Sequence, residues 1–496
     1  MSALRRWSSL VVLVGAVLLL AIDSTVLNLA IPALTAELEP TATQVLWIGD
    51  IYSIAIAGLL VTMGSLADRI GRKRLLLIGS TAFGLASLLA ALAPSAEVLI
   101  AARFALGVAG ATIMPSTLSL IRNIFEVPQE RTRAIAIWSA AASSGIALGP
   151  LVGGALLDRF WWGSVFLINI PVMLVVVALG AWLLPESKDP RPGRLDLTSS
   201  ALSMVAIVPL VLAIKDVSIG ESGIRTIIAL IVSAIGGHLF VRRQTRIPTP
   251  MLDVRLFRVP AFTGAVLVAF ISVFALSGFT FFYSQYLQLA RGLSPLEAGV
   301  TQIPVAISVM AAMFFVGLLL ARLGRGKAMA VALILAAAGL ALVALFESSE
   351  HLVWLILALL PIGLGIGIAE TLSVDAVVSA VSPAKAGAAA SVSETAYELG
   401  VAMGIAVLGS LLTALYRLQL VVSADVPAAL KAQVRDSLAS AASVLDPSSP
   451  GLHHAQQAFV SSMQMTTLVA AAVMAVAGVV AWKWIPSERG SSNVDH

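Results

Sequence analysis

The stretch GSLADRIGRK at residues 64–73 returns in altered form as GLLLARLGRGK at residues 317–327. The two stretches align without a gap, and the second has Ala321 where the first has Asp68. Each follows one long apolar segment and precedes another. The chain therefore contains an internal repeat, and we expect the two copies to occupy corresponding short loops in two related halves.

The segments around the repeat are too apolar for a soluble protein. Of 496 residues, 59% are hydrophobic and 12% are charged, whereas soluble domains carry about 25% charged residues. A membrane-spanning helix needs about 20 apolar residues. The sequence therefore predicts an all-α polytopic membrane protein with fourteen transmembrane helices, at 10–32, 45–67, 75–93, 97–121, 134–157, 163–184, 198–214, 224–241, 261–288, 295–320, 328–346, 352–377, 387–415 and 462–484.

The distribution of Lys and Arg predicts the orientation. If the N-terminus is cytoplasmic, seven of the 31 Lys and Arg residues fall in outside loops, as the positive-inside rule requires. Those seven are Arg159, Lys215, Arg225, Arg291, Arg417, Lys431 and Arg435. Arg103 is the only basic residue that we predict inside the bilayer core. The first apolar run is too long for a signal peptide and contains Asp23, so we expect a retained helix and two cytoplasmic termini.

The repeat divides the predicted spans as 6 + 2 + 6. Residues 1–190 form an N-terminal six-helix half, and 191–258 form a two-helix insertion with cytoplasmic linkers. Residues 259–485 form a C-terminal six-helix half, and 486–496 form a cytoplasmic tail. Parallel halves that rock about a central site give alternating access. In the outside loop 417–461 we expect amphipathic helices or a hairpin over the exit.

Three stretches resemble motifs of the major facilitator superfamily. The first copy of the repeat resembles the family's loop 2–3 signature, and residues 99–107 around Arg103 resemble its fourth-helix motif. Residues 145–154 resemble its fifth-helix antiporter motif, although the chain has Ala136 where the family pattern has Gly. The resemblance implies the major facilitator fold.

Two further stretches resemble one branch of that superfamily. Residues 20–32 around Asp23 resemble the first-helix signature of the fourteen-span drug:H+ antiporters, the DHA2 family. Residues 391–400 resemble the multidrug efflux pumps of the SmvA/LfrA/QacA kind, which export quaternary ammonium compounds and dyes. The resemblance covers nearly the whole chain and implies a multidrug exporter.

Asp23 and Arg103 are predicted within the bilayer. A charge at the bilayer centre costs about 2.5–3.5 kcal/mol on insertion scales, so such residues are candidates for function. We interpret Asp23 as a proton-coupling carboxyl and Arg103 as the partner of a carboxylate as the halves move. The alternatives are a packing role for Asp23 and a static ion pair for Arg103.

Glu394 and Glu398 are predicted on one face of span 13, because four residues separate them. Their like charges repel, so we expect a bound proton that an arriving organic cation displaces. We assign both to proton coupling and to substrate binding, with Tyr397 as a further substrate contact. The alternative is that one of the two acids pairs with a basic group. Glu370 and Asp375 on span 12 are further candidates.

Asp50 and Tyr52 are predicted in the first turns of span 2. We interpret them as substrate-binding residues, with Asp50 forming a vestibule site for cations. The alternative for Asp50 is a favourable charge near a helix N-terminus. The family resemblance favours the functional interpretation.

The remaining motif residues are predicted to control conformation. Gly64, Asp68, Arg69, Gly71 and Arg72 form a conformational latch between the halves, although positive-inside anchoring alone would explain Arg72. The antiporter-motif residues of span 5 are expected to pack closely and to kink the span, and the resemblance implies a seal against proton leak. They are Gly145, Gly149, Pro150, Gly153 and Gly154.

These features predict a secondary active transporter and not an enzyme. No nucleotide-binding, metalloprotease or catalytic motif occurs, and Cys is absent, so we expect no metal site and no cofactor other than coupling protons. We expect a proton-coupled exporter of lipophilic cations, including quaternary ammonium compounds, dyes and biguanides. Its partners are protons and the lipid bilayer, without nucleic acid, and it works as a monomer in the bacterial cytoplasmic membrane. The alternatives are export of a neutral antibiotic, lipid or natural product, a non-transporting sensor or scaffold and, more remotely, an intramembrane enzyme.

Overall fold

The computed structural model describes residues 2–188, 196–220, 223–247, 250, 252, 254–349, 351–379, 386–423 and 426–487, with the backbone alone at 128, 132, 378 and 386–391. The orientation argument also counts Arg191, Arg194, Lys385 and Arg489, which lie outside these residues. Most of the predicted tail and the start of the predicted insertion lie outside them too. Within the described ranges the regular structure is helical and contains no strand.

Fourteen helices in these ranges are long and apolar enough to cross a membrane, as predicted. Lipid offers backbone groups no hydrogen-bond partners, so each apolar run satisfies its own backbone as a helix. An even number of spans brings the chain back to the membrane face where it began, here called the terminal face, opposite the distal face. Spans 1 to 14 are Ala3–Leu38, Ala42–Ile70, Arg72–Ala91, Ala96–Ile124, Gln129–Leu157, Ser164–Leu183, Leu197–Ser218, Ile224–Gln244, Pro260–Ala290, Pro295–Leu323, Arg325–Phe346, Leu352–Val377, Val392–Gln419 and Pro450–Trp484.

The two copies of the repeat form equivalent turns at the terminal face. Gly71 joins spans 2 and 3 with φ +113°, and Gly324 joins spans 10 and 11 with φ +75°. Positive φ disfavours any residue with a Cβ. The residues after spans 6 and 14 cover these turns, because Ser187 O accepts from the backbone N–H of Arg72 at 2.8 Å. Correspondingly, Ser487 Oγ accepts from the N–H of Lys327 at 3.1 Å.

Span 7 lies along the seam between spans 2 and 13. A Cβ on Gly58 of span 2 would lie 2.7 Å from the sulfur of Met204 in span 7. Nearer the distal face, Val211 packs with Ile54 of span 2 and Ala402 of span 13 in one buried cluster. One helix of the predicted insertion therefore contacts both groups of six spans.

Span 7 also continues four residues further than predicted, to Ser218. Lys215 is therefore inside a span and buried, and its predicted place in an outside loop is wrong. Arg103 is therefore not the only basic residue buried within a described span. The helix tolerates a lysine here because Asp50 of span 2 neutralises its charge.

Spans 1–6 and spans 9–14 converge at the distal face. A Cβ on Gly154 of span 5 would lie 2.6 Å from the carbonyl oxygen of Pro295 at the start of span 10. The Gln288 amide donates to Leu29 O at 3.1 Å, which joins span 9 to span 1. At the terminal face, no described ion pair joins the two groups of six spans: Arg6–Glu130 and Arg72–Asp68 lie within the first group, Arg325–Asp375 lies within the second, and Arg243–Asp196 joins spans 7 and 8. The described bundle is therefore closed at the distal face.

The connection between spans 13 and 14 covers part of this closed face. It contains the short helices Lys431–Asp436 and Leu438–Val444, which confirms the prediction of helices in this loop. Asp436 accepts from the N–H of Ala42 at 2.6 Å and from Arg417 at 2.7 Å. Arg417 also donates to Ile219 O at 3.2 Å. The loop therefore ties together the distal ends of spans 2, 7 and 13.

Candidate functional site

Asp23 is fully buried in a polar cluster built by four spans. Its Oδ2 lies 3.3 Å from Nη1 of Arg103 in span 4. Its Oδ1 accepts from the Asn169 amide of span 6 at 2.6 Å, and that amide also approaches Ser87 Oγ of span 3 at 3.1 Å. The predicted pairing of Arg103 with a carboxylate is therefore present, and the carboxylate is Asp23. Asp23 is removed from both lipid and open water in this conformation.

Arg103 connects this cluster to span 2. Its Nε donates to Ile48 O at 3.2 Å, and its guanidinium carbon lies 4.5 Å from the ring centroid of Tyr52. A cation over an aromatic face is an attractive contact. The Tyr52 hydroxyl is buried without a hydrogen-bond partner among the described residues. A rearrangement of Asp23 and Arg103 would therefore change the contact between Arg103 and the Tyr52 ring.

Glu394, Tyr397 and Glu398 lie together on span 13, as the spacing predicts, and each is partly accessible. The Ser53 side chain of span 2 lies beside Glu398. Glu370 of span 12 is close enough to interact electrostatically with Glu394. Because Ser53 of span 2 and Glu370 of span 12 lie beside them, Glu394 and Glu398 face neighbouring spans of the bundle.

None of these three acids has a Lys or Arg partner among the described residues. By contrast, the buried acids Asp23 and Asp50 each pair with a buried base, Arg103 and Lys215. The alternative that Glu394 or Glu398 pairs with a basic group therefore finds no support in the described residues. The acid cluster of Glu370, Glu394 and Glu398, here called the central acids, can take up a proton or a cation from outside the chain.

Tyr52 and Ser53 place the Asp23 cluster next to the central acids. Tyr52 lies close to both Asp23 and Glu398, and Ser53 lies beside Glu398. Two neighbouring residues of span 2 therefore connect a buried ion pair in spans 1 and 4 to an unpaired acid in span 13.

Asp50 lies apart from this group and has a partner that the sequence prediction missed. Its Oδ2 is 2.7 Å from Nζ of Lys215 in span 7, and both side chains are 0% exposed. The same ammonium lies 3.5 Å from the ring centroid of Trp47. A vestibule open to cations, as predicted for Asp50, is not present in this conformation because Lys215 fills it.

The predicted latch residues contact only their own group of spans. Arg72 donates to Asp68 at 2.9 Å and to Ser187 Oγ at 3.0 Å, all within spans 2 to 6 and their connections. Arg69 is exposed, and Gly64 faces Pro115 of span 4. The predicted latch between the halves is therefore not formed among the described residues in this conformation.

The antiporter-motif glycines face two directions. Cβ atoms on Gly145 and Gly153 would lie 2.6 Å from Ala21 Cβ and 2.7 Å from Val26 Cγ2, and one on Gly149 would collide with Thr25, so these three pack on span 1. Gly154 instead faces span 10, and Gly299 of span 10 faces the Pro150 carbonyl in return. The helix continues through Pro150.

Several residues at these sites escaped the sequence prediction. Asn169 and Ser87 are uncharged polar residues in otherwise apolar spans, and the only sequence signal for Asn169 is an amide side chain within such a run. A further buried acid, Glu347, follows span 11. Its Oε1 accepts from Thr467 at 3.1 Å, and its backbone carbonyl accepts from the Tyr286 hydroxyl at 2.6 Å. Burial raises the pKa of Glu347 to about 8, against a smaller opposing effect of the Thr467 hydrogen bond.

A bundle of fourteen spans, with a repeated loop and charged side chains held inside it, is the architecture of a membrane transporter. Residues 13–405 match the family described as Major Facilitator Superfamily. The chain therefore belongs to the major facilitator superfamily, as its motifs predicted.

Relatives and solved structures agree with this family. The chain is 45% identical over 486 residues to the multidrug efflux pump LfrA of Mycolicibacterium smegmatis, covering 96% of each chain. It is 42% identical over 321 residues to the methyl viologen resistance protein SmvA of Salmonella typhimurium, covering 64% of this chain and 65% of that one. A bacterial homologue of the human lysosomal transporter Spinster, solved in an inward-facing and unoccupied conformation, shares the fold. Its TM-score is 0.69 at 18% identity, over 98% of this chain and 100% of that one.

Proposed function

We propose that this transporter exports lipophilic cationic drugs across the bacterial cytoplasmic membrane in exchange for protons, by alternating access. Quaternary ammonium compounds, dyes and biguanides are the expected substrates. The names of the relatives support this proposal, since LfrA is described as a multidrug efflux pump and SmvA as a methyl viologen resistance protein. The two groups of six spans act as the moving halves, with spans 7 and 8 inserted between them and both termini cytoplasmic.

The central acids carry this proposal. Glu370, Glu394 and Glu398 have no basic partner among the described residues and are partly accessible. An unpaired carboxylate in low dielectric is unfavourable, so such a group binds a proton or an opposite charge. A lipophilic cation can replace the proton because it brings a positive charge and apolar surface together. Exchange at one site then links export of the drug to uptake of the proton.

The Asp23 cluster supplies the conformational part of the mechanism. While Asp23 is ionised it holds Arg103, and Arg103 in turn touches Ile48 and Tyr52 of span 2. A proton on Asp23 cancels the charge that holds Arg103, which then needs another acid. Glu398 is the nearby acid on the side of Tyr52. Protonation of Asp23 would therefore change the contacts of spans 1, 2 and 4 with span 13.

Replacing Asp23 tests proton coupling. Asp23→Asn keeps the hydrogen-bonding shape but removes the titratable group. Proton-driven ethidium efflux in everted membrane vesicles should fall to the level of vesicles treated with an uncoupler, at unchanged protein content. The control is Asp375→Asn, which breaks a half-exposed pair at the terminal face and should leave most of the efflux intact. Full efflux by the Asp23 variant would reject its coupling role.

Replacing Glu394 tests charge recognition. Glu394→Gln should weaken transport of a dicationic substrate such as methyl viologen by about tenfold, the loss of roughly one ionic contact. A monocation such as ethidium should lose less, because Glu398 remains. Concentration dependence of uptake into everted vesicles gives both values. Glu297→Gln, which alters a helix cap at the distal face, is the control. Equal losses for both substrates would contradict direct recognition of charge by Glu394.

A further inference from the structure

The buried pair of Asp50 and Lys215 is the strongest feature that the proposed mechanism does not use. The Lys215 ammonium lies 2.7 Å and 3.0 Å from the two carboxylate oxygens of Asp50, and 3.5 Å from the centroid of the Trp47 ring. Asp50 and Trp47 belong to span 2, whereas Lys215 belongs to span 7. The ammonium is therefore held by one carboxylate and one aromatic face.

Stability alone is a weak reason for this pair. Removing two charges from water costs several kcal/mol per ion, and apolar residues of similar volume often serve as well or better. The surroundings are apolar, since Ile54, Val211 and Ala402 form a buried cluster one turn away. A lysine and an aspartate in such surroundings indicate a contact that is made in one conformation and broken in another.

A carboxylate beside an aromatic face is also the chemistry that binds organic cations. Cation–π attraction contributes about 2 kcal/mol or more when the site is desolvated, and the carboxylate adds its charge. Trp47 and Asp50 supply both parts, one helical turn apart. Lys215 thus sits where the positive group of a monovalent lipophilic cation would sit.

The position of this site fits a path toward the distal face. Asp50 precedes Ser53, which contacts Glu398, by three residues of the same helix. Three residues correspond to about 4.5 Å along the helix axis. A cation that leaves Glu398 in the distal direction would therefore meet Asp50 next. Lys215 is three residues from the distal end of span 7, so its long side chain can reach the membrane surface when displaced.

We propose that Trp47 and Asp50 form a second binding site for monovalent lipophilic cations, and that Lys215 occupies this site as a tethered internal cation while the distal face is closed. An arriving cation displaces Lys215 and frees span 7 from span 2. This inference rests on the proposed function, because it assigns a further site on the route of the same substrates. It makes Lys215 a competitor of the substrate and not a substrate contact.

The natural absence of Cys allows a reversible test on the full-length protein. Lys215→Cys introduces a single thiol and removes the competing charge. Equilibrium binding of tetraphenylphosphonium to the purified variant should be about tenfold tighter than to the unmodified wild type. Reaction with an aminoethyl methanethiosulfonate adds an ammonium at the same position and should return the affinity to the wild-type value. A methyl methanethiosulfonate adds a neutral group and should leave the affinity high.

Asp50→Asn combined with Lys215→Cys provides the second comparison. It removes both charges, so it leaves no unpaired buried ion and should fold even if Lys215→Cys alone does not. In this double variant the gain in affinity should vanish, and the aminoethyl reagent should have no effect. Trp47→Leu with Lys215→Cys should lose part of the gain.

Two results would overturn the inference without touching the proposed function. One is equal tetraphenylphosphonium affinity in wild type, in Lys215→Cys and in its two modified forms. The other is an aminoethyl-modified Lys215→Cys protein that binds tetraphenylphosphonium as tightly as the unmodified variant, because an ammonium at position 215 would then not compete for the site. Failure of the wild type to bind or export any lipophilic cation would instead contradict the proposed function, and this inference would fall with it.

Discussion

The buried acids of this molecule differ in what neutralises them. Asp23 is neutralised by Arg103 and Asp50 by Lys215, whereas Glu394 and Glu398 have no base among the described side chains. Removing one partner of a buried ion pair costs about 3–5 kcal/mol, because the other charge stays buried. We therefore expect substitutions at Arg103 to lower stability as well as transport. Substitutions at the central acids should lower transport while stability is kept.

Glu347 yields a prediction for pH. Burial raises its pKa to about 8 from an ordinary 4.5, so the folded protein favours the protonated form. The associated stability is present below pH 4.5 and is lost as pH rises through about 8. The thermal unfolding temperature in detergent should therefore decrease as the pH is raised from about 5 to about 8.5. In Glu347→Gln this decrease should be smaller by several degrees. Glu97→Gln, at an exposed distal position, should follow the wild type. Parallel curves for all three proteins would contradict the prediction.

The sequence predicted the residues with motifs and missed their partners. Asp23, Arg103 and the Glu394–Glu398 pair stand out because charge is rare in apolar spans. Asn169 does not stand out, since a single neutral polar residue leaves the hydropathy of span 6 high. Lys215 was placed in a loop because a charge near the end of an apolar run looks like a span boundary. Lys215 is buried within span 7 because it pairs with Asp50, 165 positions away in the chain. No local sequence pattern indicates a pairing at that distance.

At the scale of helices, span 5 carries two glycine faces with different partners. Gly145, Gly149 and Gly153 let span 1 approach closely, which fixes the helix that carries Asp23. Gly154 points instead to the first turn of span 10, in the other group of spans. Gly153 therefore packs within one group of spans, whereas its neighbour Gly154 packs between the two groups at the distal closure. The motif alone did not distinguish these two roles.

Alanine at Gly153 or Gly154 separates these roles. Gly154→Ala places a methyl group against the backbone of Pro295 and Leu296, so it should weaken the distal closure. A cysteine at the buried Ser284 of span 9 then reports the opening. A membrane-impermeant maleimide applied from the distal face should label it at least about tenfold faster with Gly154→Ala than without.

Gly153→Ala is the matched control, because its methyl group meets Val26 within the same group of spans. It should lower stability while labelling at Ser284→Cys stays slow. Faster labelling with both substitutions would show that span 5 acts as one packing surface, and the assignment of closure to Gly154 would be wrong.

The number and order of the spans could be predicted because each apolar run is long enough to decide its own structure in lipid. Span ends were less accurate. Span 1 begins at Ala3 and not at residue 10, and span 14 begins at Pro450 and not at residue 462. Amphipathic extensions at a membrane surface continue the helix without continuing the apolar run, so hydropathy does not mark where they end.

At the scale of the whole molecule, the described bundle is closed on one face only. Contacts between the two groups of spans gather at the distal ends, and the loop around Asp436 adds a tie across spans 2, 7 and 13. The orientation argument from Lys and Arg assigns the terminal face to the cytoplasm. On that assignment, the described conformation would receive substrate from the cytoplasm.

Single cysteines test this orientation in the naturally Cys-free chain. Lys188→Cys is exposed at the terminal face and Ser448→Cys is exposed in the distal loop. In intact spheroplasts, a membrane-impermeant maleimide should label only Ser448→Cys, and in everted vesicles it should label only Lys188→Cys. Labelling of both positions from one side would contradict the even number of spans. The reverse pattern would place both termini outside.

Span 7 makes the two sides of the molecule unequal. It lies along the seam between spans 2 and 13, and the Asp50–Lys215 ion pair joins it to span 2. Spans 5 and 10 form the other described contact between the two groups, at their distal ends. Elsewhere these two spans are mostly exposed. An apolar molecule dissolved in the surrounding lipid would therefore meet a flank covered by span 7 on one side of the bundle and the exposed spans 5 and 10 on the other.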